Sequence, residues 1–209
     1  MECVVGVDFD NTLVSYDRVL YDIALGQDLI HPSIEKHKQI IRDFIRGLPG
    51  GETKWRQIQG IVYGPKMEDA QLIDGVEEFF RFCKQNGVKV FIVSHKSVYA
   101  QDDNERTNLQ IAALDWMEKN AFFDADGLDL HRKNIYFEPT RSEKVERIKE
   151  LRCTHFIDDL EEVFADPSFP RGVDKLLYAP YSHRCSLVDV RAYKDWKEIL
   201  AYFSNRIHG

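Results

Sequence analysis

Apolar positions change period along the chain, and the change marks its organisation. Val4-Val5-Gly6-Val7 is a continuous apolar run halted by Asp8, Asp10 and Asn11, the pattern of a buried strand closed by a turn. From about residue 15 to 73 the spacing is helical instead. Leu20, Ile23 and Ala24 share one face, and Pro32-Ser33 opens a segment carrying Ile34, Ile41, Phe44, Ile45 and Leu48. Trp55, Ile58 and Val62 line a third segment that stops at Gly64-Pro65. After Asp74 strands and helices alternate. Asp74-Gly75-Val76-Glu77 reads as a capping box before a helix buried through Val76, Phe79, Phe80 and Cys83 and closed by Gly87. Val88 to Ser94 is a strong strand, and Leu109, Ala113, Trp116 and Met117 give the next helix its buried face. Asn134 to Phe137 reads as a strand, followed by a helix with Ser142 as N-cap and Val145, Ile148 and Leu151 facing inward. Thr154 to Asp158 and Lys175 to Tyr178 are further strands, the latter read as the last, before a closing helix striped by Trp196, Ile199, Leu200 and Phe203.

This order predicts a three-layer, Rossmann-like α/β core with a mainly parallel sheet, its first strand central. The core takes residues 1–14 and 74–209, and the helical block 15–73 interrupts it. The 209 residues suffice for one such domain with a modest insertion.

Charge narrows the function. The net charge of -7 leaves no basic footprint for nucleic acid, so an anionic small molecule would need local Arg and Lys. No apolar run has the length of a membrane span, and the N-terminus lacks a signal-peptide pattern, which together predict a cytoplasmic protein with no membrane partner. Cys3, Cys83, Cys153 and Cys185 are scattered without CxxC spacing and read as reduced thiols. Asp124, Asp126 and Asp129 lack a full calcium-loop pattern and read as a polar turn.

The chemistry concentrates at strand ends. Asp8 and Asp10 leave the first strand on one side, where open α/β sheets bind ligands. Carboxylates that close repel, and a divalent cation would compensate them. The string DFDNT resembles the first motif, DxDxT, of the haloacid dehalogenase-like superfamily, most of whose members are magnesium-dependent phosphohydrolases. The later motifs of that family have counterparts in order. Ser94 ends the second strong strand in VSHKS, Lys144 opens a helix fourteen residues before the acidic pair, and Asp158-Asp159 ends THFIDD; Lys133 is a less well placed lysine. The helical insertion matches the position of a small type-1 cap.

The resemblance implies a phosphoric monoester hydrolase. Asp8 would attack phosphorus to give an aspartyl phosphate, and Asp10 would act as general acid and then general base. Ser94 and Lys144 would hold the transferring phosphoryl group. Mg²⁺ would be held by Asp8, the Asp10 backbone carbonyl, Asp158 and Asp159. The acid at Asp10 favours ester hydrolysis over dehalogenation. Expected substrate contacts are Asn11, Thr12, His95 and Lys96 beside the catalytic strands, and Tyr16, Arg18 and Arg56 in the cap. Arg42, Arg46, Lys54, Tyr63 and Lys66 are weaker cap candidates, and His183 and Arg184 lie in a loop near the strand ends. The expected partner is a small phosphorylated metabolite: a sugar, polyol or nucleotide phosphate. The competing readings are a phosphotransferase using the same aspartyl phosphate, a phosphonate-cleaving enzyme with Lys54 or Lys66 as Schiff base, and a non-catalytic binding protein on this fold.

Overall fold

The computed structural model describes residues 2–100, 106–181 and 185–208. The elements run, in chain order, β1 (Val4–Val7), β2 (Val14–Ser15), α1 (Asp17–Gly26), α2 (Lys38–Arg46), α3 (Gly51–Tyr63), β3 (Gln71–Leu72), α4 (Val76–Gln85), β4 (Lys89–His95), α5 (Leu109–Lys119), β5 (Ile135–Glu138), α6 (Arg141–Glu150), β6 (His155–Asp158), α7 (Glu161–Phe164), β7 (Asp174–Tyr178), β8 (Val190–Tyr193) and α8 (Trp196–His208). They divide into two compact units.

The first unit holds Met1–Leu13, Leu72–Lys96 and Asn120–Gly209. Its centre is a six-stranded sheet in the order β5-β4-β1-β6-β7-β8, every pair parallel. All four residues of β1 are buried, as a strand covered on both faces requires. Val4, Phe91, Val93 and Phe156 join Val145 and Ile148 of α6 and Val163 and Phe164 of α7 in one hydrophobic cluster. Gly6 lets that cluster close: a Cβ there would sit 2.5 Å from the Phe156 ring. Elsewhere Phe79 of α4 packs on Trp196 and Phe203 of α8, at ring separations of 5.0 and 5.2 Å.

The α/β class, the largely parallel sheet and the interior place of β1 follow the sequence pattern. Several local details differ. Tyr178 does not end the last strand, because β8 follows; only Val190 of its four residues is buried, so it carries no apolar run. Gly75, not Asp74, caps α4, with φ +91 and no side-chain cap. A Cβ there would meet that of Trp196 at 2.8 Å, so close helix packing selects glycine. Thr140 rather than Ser142 caps α6, its Oγ1 accepting from Glu143 N at 3.2 Å.

The second unit holds Val14–Gln71 and Ser97–Lys119. It contains α1, α2 and α3, and α5 as well. The apolar face of α5 is used here: Trp116 Nε1 donates to Ala70 O at 3.0 Å, and Lys119 reaches Glu68 at 3.1 Å. α2 begins at Lys38, not at Pro32-Ser33. His37, in extended conformation, caps it through Nδ1, which accepts from Gln39 N and Ile40 N. No helix of the described residues is long and apolar enough to cross a membrane.

Candidate active site

The site forms where β1, β4 and β6 end. The β1 ladder carries on past Val7, with Asp8 N donating to Ile157 O at 2.9 Å. The chain then turns through Asn11, whose φ of +63 is a left-handed conformation that Asn tolerates better than most residues. Two bonds hold this turn. Leu13 N donates to Phe9 O at 3.0 Å, and Trp196 Nε1 at the start of α8 donates to Thr12 O at 2.9 Å. Thr12 is buried and its hydroxyl donates to Asp8 Oδ2 at 3.3 Å.

Asp8 is buried and ringed by donors. Ser94, the sixth residue of β4, donates to its Oδ1 at 3.0 Å. Lys144 projects from the first turns of α6, and its Nζ lies 2.6 Å from both Asp8 Oδ1 and Asp158 Oδ2. Leu160 N donates to the other Asp158 oxygen at 3.0 Å. Three residues spread from position 8 to position 158, Asp8, Ser94 and Asp158, therefore meet around one lysine. Lys133 sits apart, in the turn that leads into the start of β5.

Burial and charge compete here. Desolvation pulls the Lys144 pKa down, but Asp158 and Asp8 overcome it and hold the amine above its ordinary range. Burial also acts on Asp158, pushing its carboxyl up to about 6, while Lys144 pulls the other way. At the lysine two carboxylates outweigh burial, whereas at Asp158 burial outweighs its share of one ammonium. The lysine gains two partners, whereas Asp158 gains half of one and keeps Asp8 as a like-charged neighbour.

Asp8, Asp158 and Asp159 offer carboxylate oxygens that all lie within 4.8 Å of one another. Three hard oxygen donors of this kind suit Mg²⁺. A cation there would relieve the repulsion that one lysine only partly offsets, so the residues fit the group.

The substrate-side candidates separate. Thr12 and Asn11 belong to the β1 turn. His95 is exposed, with Nε2 3.0 Å from Pro139 O. Lys96 is buried, and its Nζ contacts both Asp10 oxygens at 2.9 Å. In the second unit Tyr16 is fully buried, its hydroxyl on Met67 Sδ at 3.2 Å and its ring edge-on to Tyr63. Arg18 is exposed and 3.8 Å from Asp22, and Arg56 is half-buried on α3. Arg42, Arg46 and Lys66 pair with Asp43, Glu52 and Asp69. His183 and Arg184 lie outside the described residues. Two features escaped the sequence pattern: the Lys96–Asp10 pair, signalled only by the matching two-residue spacings of Ser94/Lys96 and Asp8/Asp10, and the Trp196 anchor, which read simply as core.

No protein-family model and no curated protein matches the chain. Solved structures do. A haloacid dehalogenase-superfamily hydrolase from Ehrlichia chaffeensis is 17% identical over 99% of both chains, with a TM-score of 0.54. A haloacid dehalogenase-like family protein from Streptococcus pneumoniae is 15% identical over 97% of this chain and 98% of its own, with a TM-score of 0.56. A hydrolase of the same family from Deinococcus radiodurans, seen with bound phosphate and sodium, is 14% identical over 98% and 96%, with a TM-score of 0.51. At these identities the likeness concerns architecture, and on that ground the chain has the fold of the haloacid dehalogenase-like hydrolases.

Proposed function

We propose that this protein is a Mg²⁺-dependent phosphomonoesterase that hydrolyses a small phosphorylated metabolite through an aspartyl phosphate on Asp8. One observation carries the reading: Lys144 Nζ at 2.6 Å from both Asp8 and Asp158, with Ser94 on the same Asp8 oxygen. A buried carboxylate surrounded by an ammonium, a hydroxyl and two more acids is arranged to receive a dianionic phosphoryl group, not merely to stabilise a fold. The phosphate bound in the Deinococcus hydrolase of the same fold is in keeping with it.

Each residue then has a task. Asp8 attacks phosphorus in line with the leaving oxygen. Ser94 and Lys144 donate to the equatorial oxygens, over which the transition state spreads its charge. Asp10 gives a proton to the departing alkoxide and later takes one from the water that cleaves the acyl phosphate. Asp8, Asp158, Asp159 and the Asp10 carbonyl would hold Mg²⁺, which supplies charge neutralisation between the nucleophile and the anionic substrate. The helical second unit serves as the cap that selects the substrate.

Phosphate release from a panel of sugar, polyol and nucleotide monophosphates, with and without Mg²⁺, tests the proposal. Metal-dependent release abolished by Asp8→Asn is the expected result. Transfer to an added alcohol in preference to water would make the protein a phosphotransferase. Absence of both release and Mg²⁺ binding would overturn the enzymatic reading.

A further inference from the structure

Lys96 follows the last residue of β4 and is the second buried lysine of the site. Its backbone N donates to Glu138 O at 2.9 Å, continuing the ladder toward β5. Its side chain is 3% exposed, and its ammonium lies 2.9 Å from each oxygen of Asp10. The Phe9 ring lies 5.6 Å from the same nitrogen, and Phe9 is fully buried. A lysine on a flexible stem is a poor fixture when exposed. Held between a bidentate carboxylate and an aromatic face, it is a rigid one.

The spacing explains why this lysine reaches that acid. Ser94 reaches Asp8, and two residues further on Lys96 reaches Asp10, itself two residues beyond Asp8. The second contact falls in the turn after β1, where Asn11 is left-handed and the backbone bonds fix the main chain but not the Asp10 side chain. An aspartate on such a turn has several side-chain wells open to it. A proton donor must meet the leaving oxygen within hydrogen-bond reach, and small misplacements are costly.

We infer that Lys96 is a positioning residue: it locks the Asp10 carboxylate in the orientation needed for proton transfer and does not itself bind the substrate phosphate. The inference rests on the phosphomonoesterase reading and goes beyond it, because it assigns a duty to a residue whose sequence position suggested a phosphate ligand.

The test compares Lys96→Met and Lys96→Arg with the native protein on an alkyl phosphate and on 4-nitrophenyl phosphate. The alkoxide needs a proton as it leaves, and the nitrophenolate hardly does. Lys96→Met should lose on the order of 10²-fold in kcat on the alkyl ester, the contribution of a general acid, but only a few-fold on the nitrophenyl ester. KM should change little, Lys96→Arg should recover part of the loss, and Lys96→Met should add nothing to Asp10→Asn. A rise in KM at unchanged kcat would make Lys96 a phosphate ligand and overturn the inference. Equal losses on both esters, additive with Asp10→Asn, would make its role structural and also overturn it. If the native protein cleaves neither ester, the phosphatase reading fails separately, and a crystal structure of Lys96→Met decides the pair. An Asp10 carboxylate that leaves its rotamer supports positioning, and one that stays in place refutes it.

Discussion

At the scale of single residues, the site depends on positions that carry no chemistry. Gly6 is one. It lies two residues before Asp8, and an added Cβ would meet Phe156 at 2.5 and 2.8 Å and Cys153 Sγ at 3.0 Å. Those side chains are buried, so they cannot swing into solvent. Gly6→Ala should therefore destabilise the fold by about 1–3 kcal/mol, the range for overpacking, as read from the denaturation midpoint. His155 opens β6 on the opposite end of the strand from Asp158. Burial holds its pKa below the ordinary value of 6.5; Asp174 opposes this, and Arg206 and Arg191 reinforce it. A depressed histidine is neutral when folded, whereas the unfolded chain takes up the proton first. Stability should therefore fall as pH drops below about 6.5 toward the lower folded value. Urea unfolding of the native protein and of His155→Gln between ~pH 7.5 and ~pH 5.5 should show that slope in the difference between the two, since Asp158 contributes a slope of the other sign to both. A difference of the opposite sign would place a charged imidazole in the folded protein.

At the scale of elements, strand ends were legible in the sequence and the ties between elements were not. Asp8, Ser94 and Asp158 stand out because each follows a run of apolar residues, and such runs declare themselves locally. Lys144 was found by order and spacing, although the cap of its helix proved to be Thr140, two residues earlier than Ser142. Strand β8 has no apolar run to declare it, since three of its four residues are not buried, and Pro32-Ser33 mimics a helix start ahead of α2. Long-range bonds leave no local signature at all. Trp196 reads as one more apolar residue in a stripe, yet its indole donates to Thr12 O, 184 positions away in sequence. Trp196→Phe would keep most of the apolar packing and strand that buried carbonyl, costing about 1–3 kcal/mol. Because the turn it anchors carries Asp10 and Asn11, turnover should fall as well, more than it does for a cavity of similar cost elsewhere in α8. Equal effects on turnover would show that the anchor is only structural.

At the scale of the whole molecule, one end of a parallel sheet gathers more negative charge than its own lysines offset. Asp8, Asp10, Asp158 and Asp159 meet Lys96 and Lys144, a set with two more carboxylates than ammonium groups. Asp158 has its pKa raised by burial, and further by the neighbouring Asp8 charge. Its folded form holds a proton that the unfolded chain releases, so ionising it as pH rises toward and past about 6 weakens the fold. A divalent cation bound to the ionised site would stabilise the folded state, and more so once Asp158 is charged. Mg²⁺ should raise Tm at neutral pH and raise it less as pH falls through that window, a trend lost in Asp158→Asn. A metal effect independent of pH would put the cation elsewhere.

The claim on which the rest depends is that Asp8 becomes phosphorylated. The most direct measurement is chemical trapping in the Asp10→Asn protein, where the acyl phosphate should persist for want of a base to cleave it. After a short incubation with Mg²⁺ and an aryl phosphate, whose leaving group hardly needs the acid that Asp10→Asn removes, borohydride reduces an aspartyl phosphate to homoserine. Peptide mass spectrometry should then find homoserine at position 8 and nowhere else. Homoserine at another aspartate, or none at position 8 while phosphate is still released, would contradict the account.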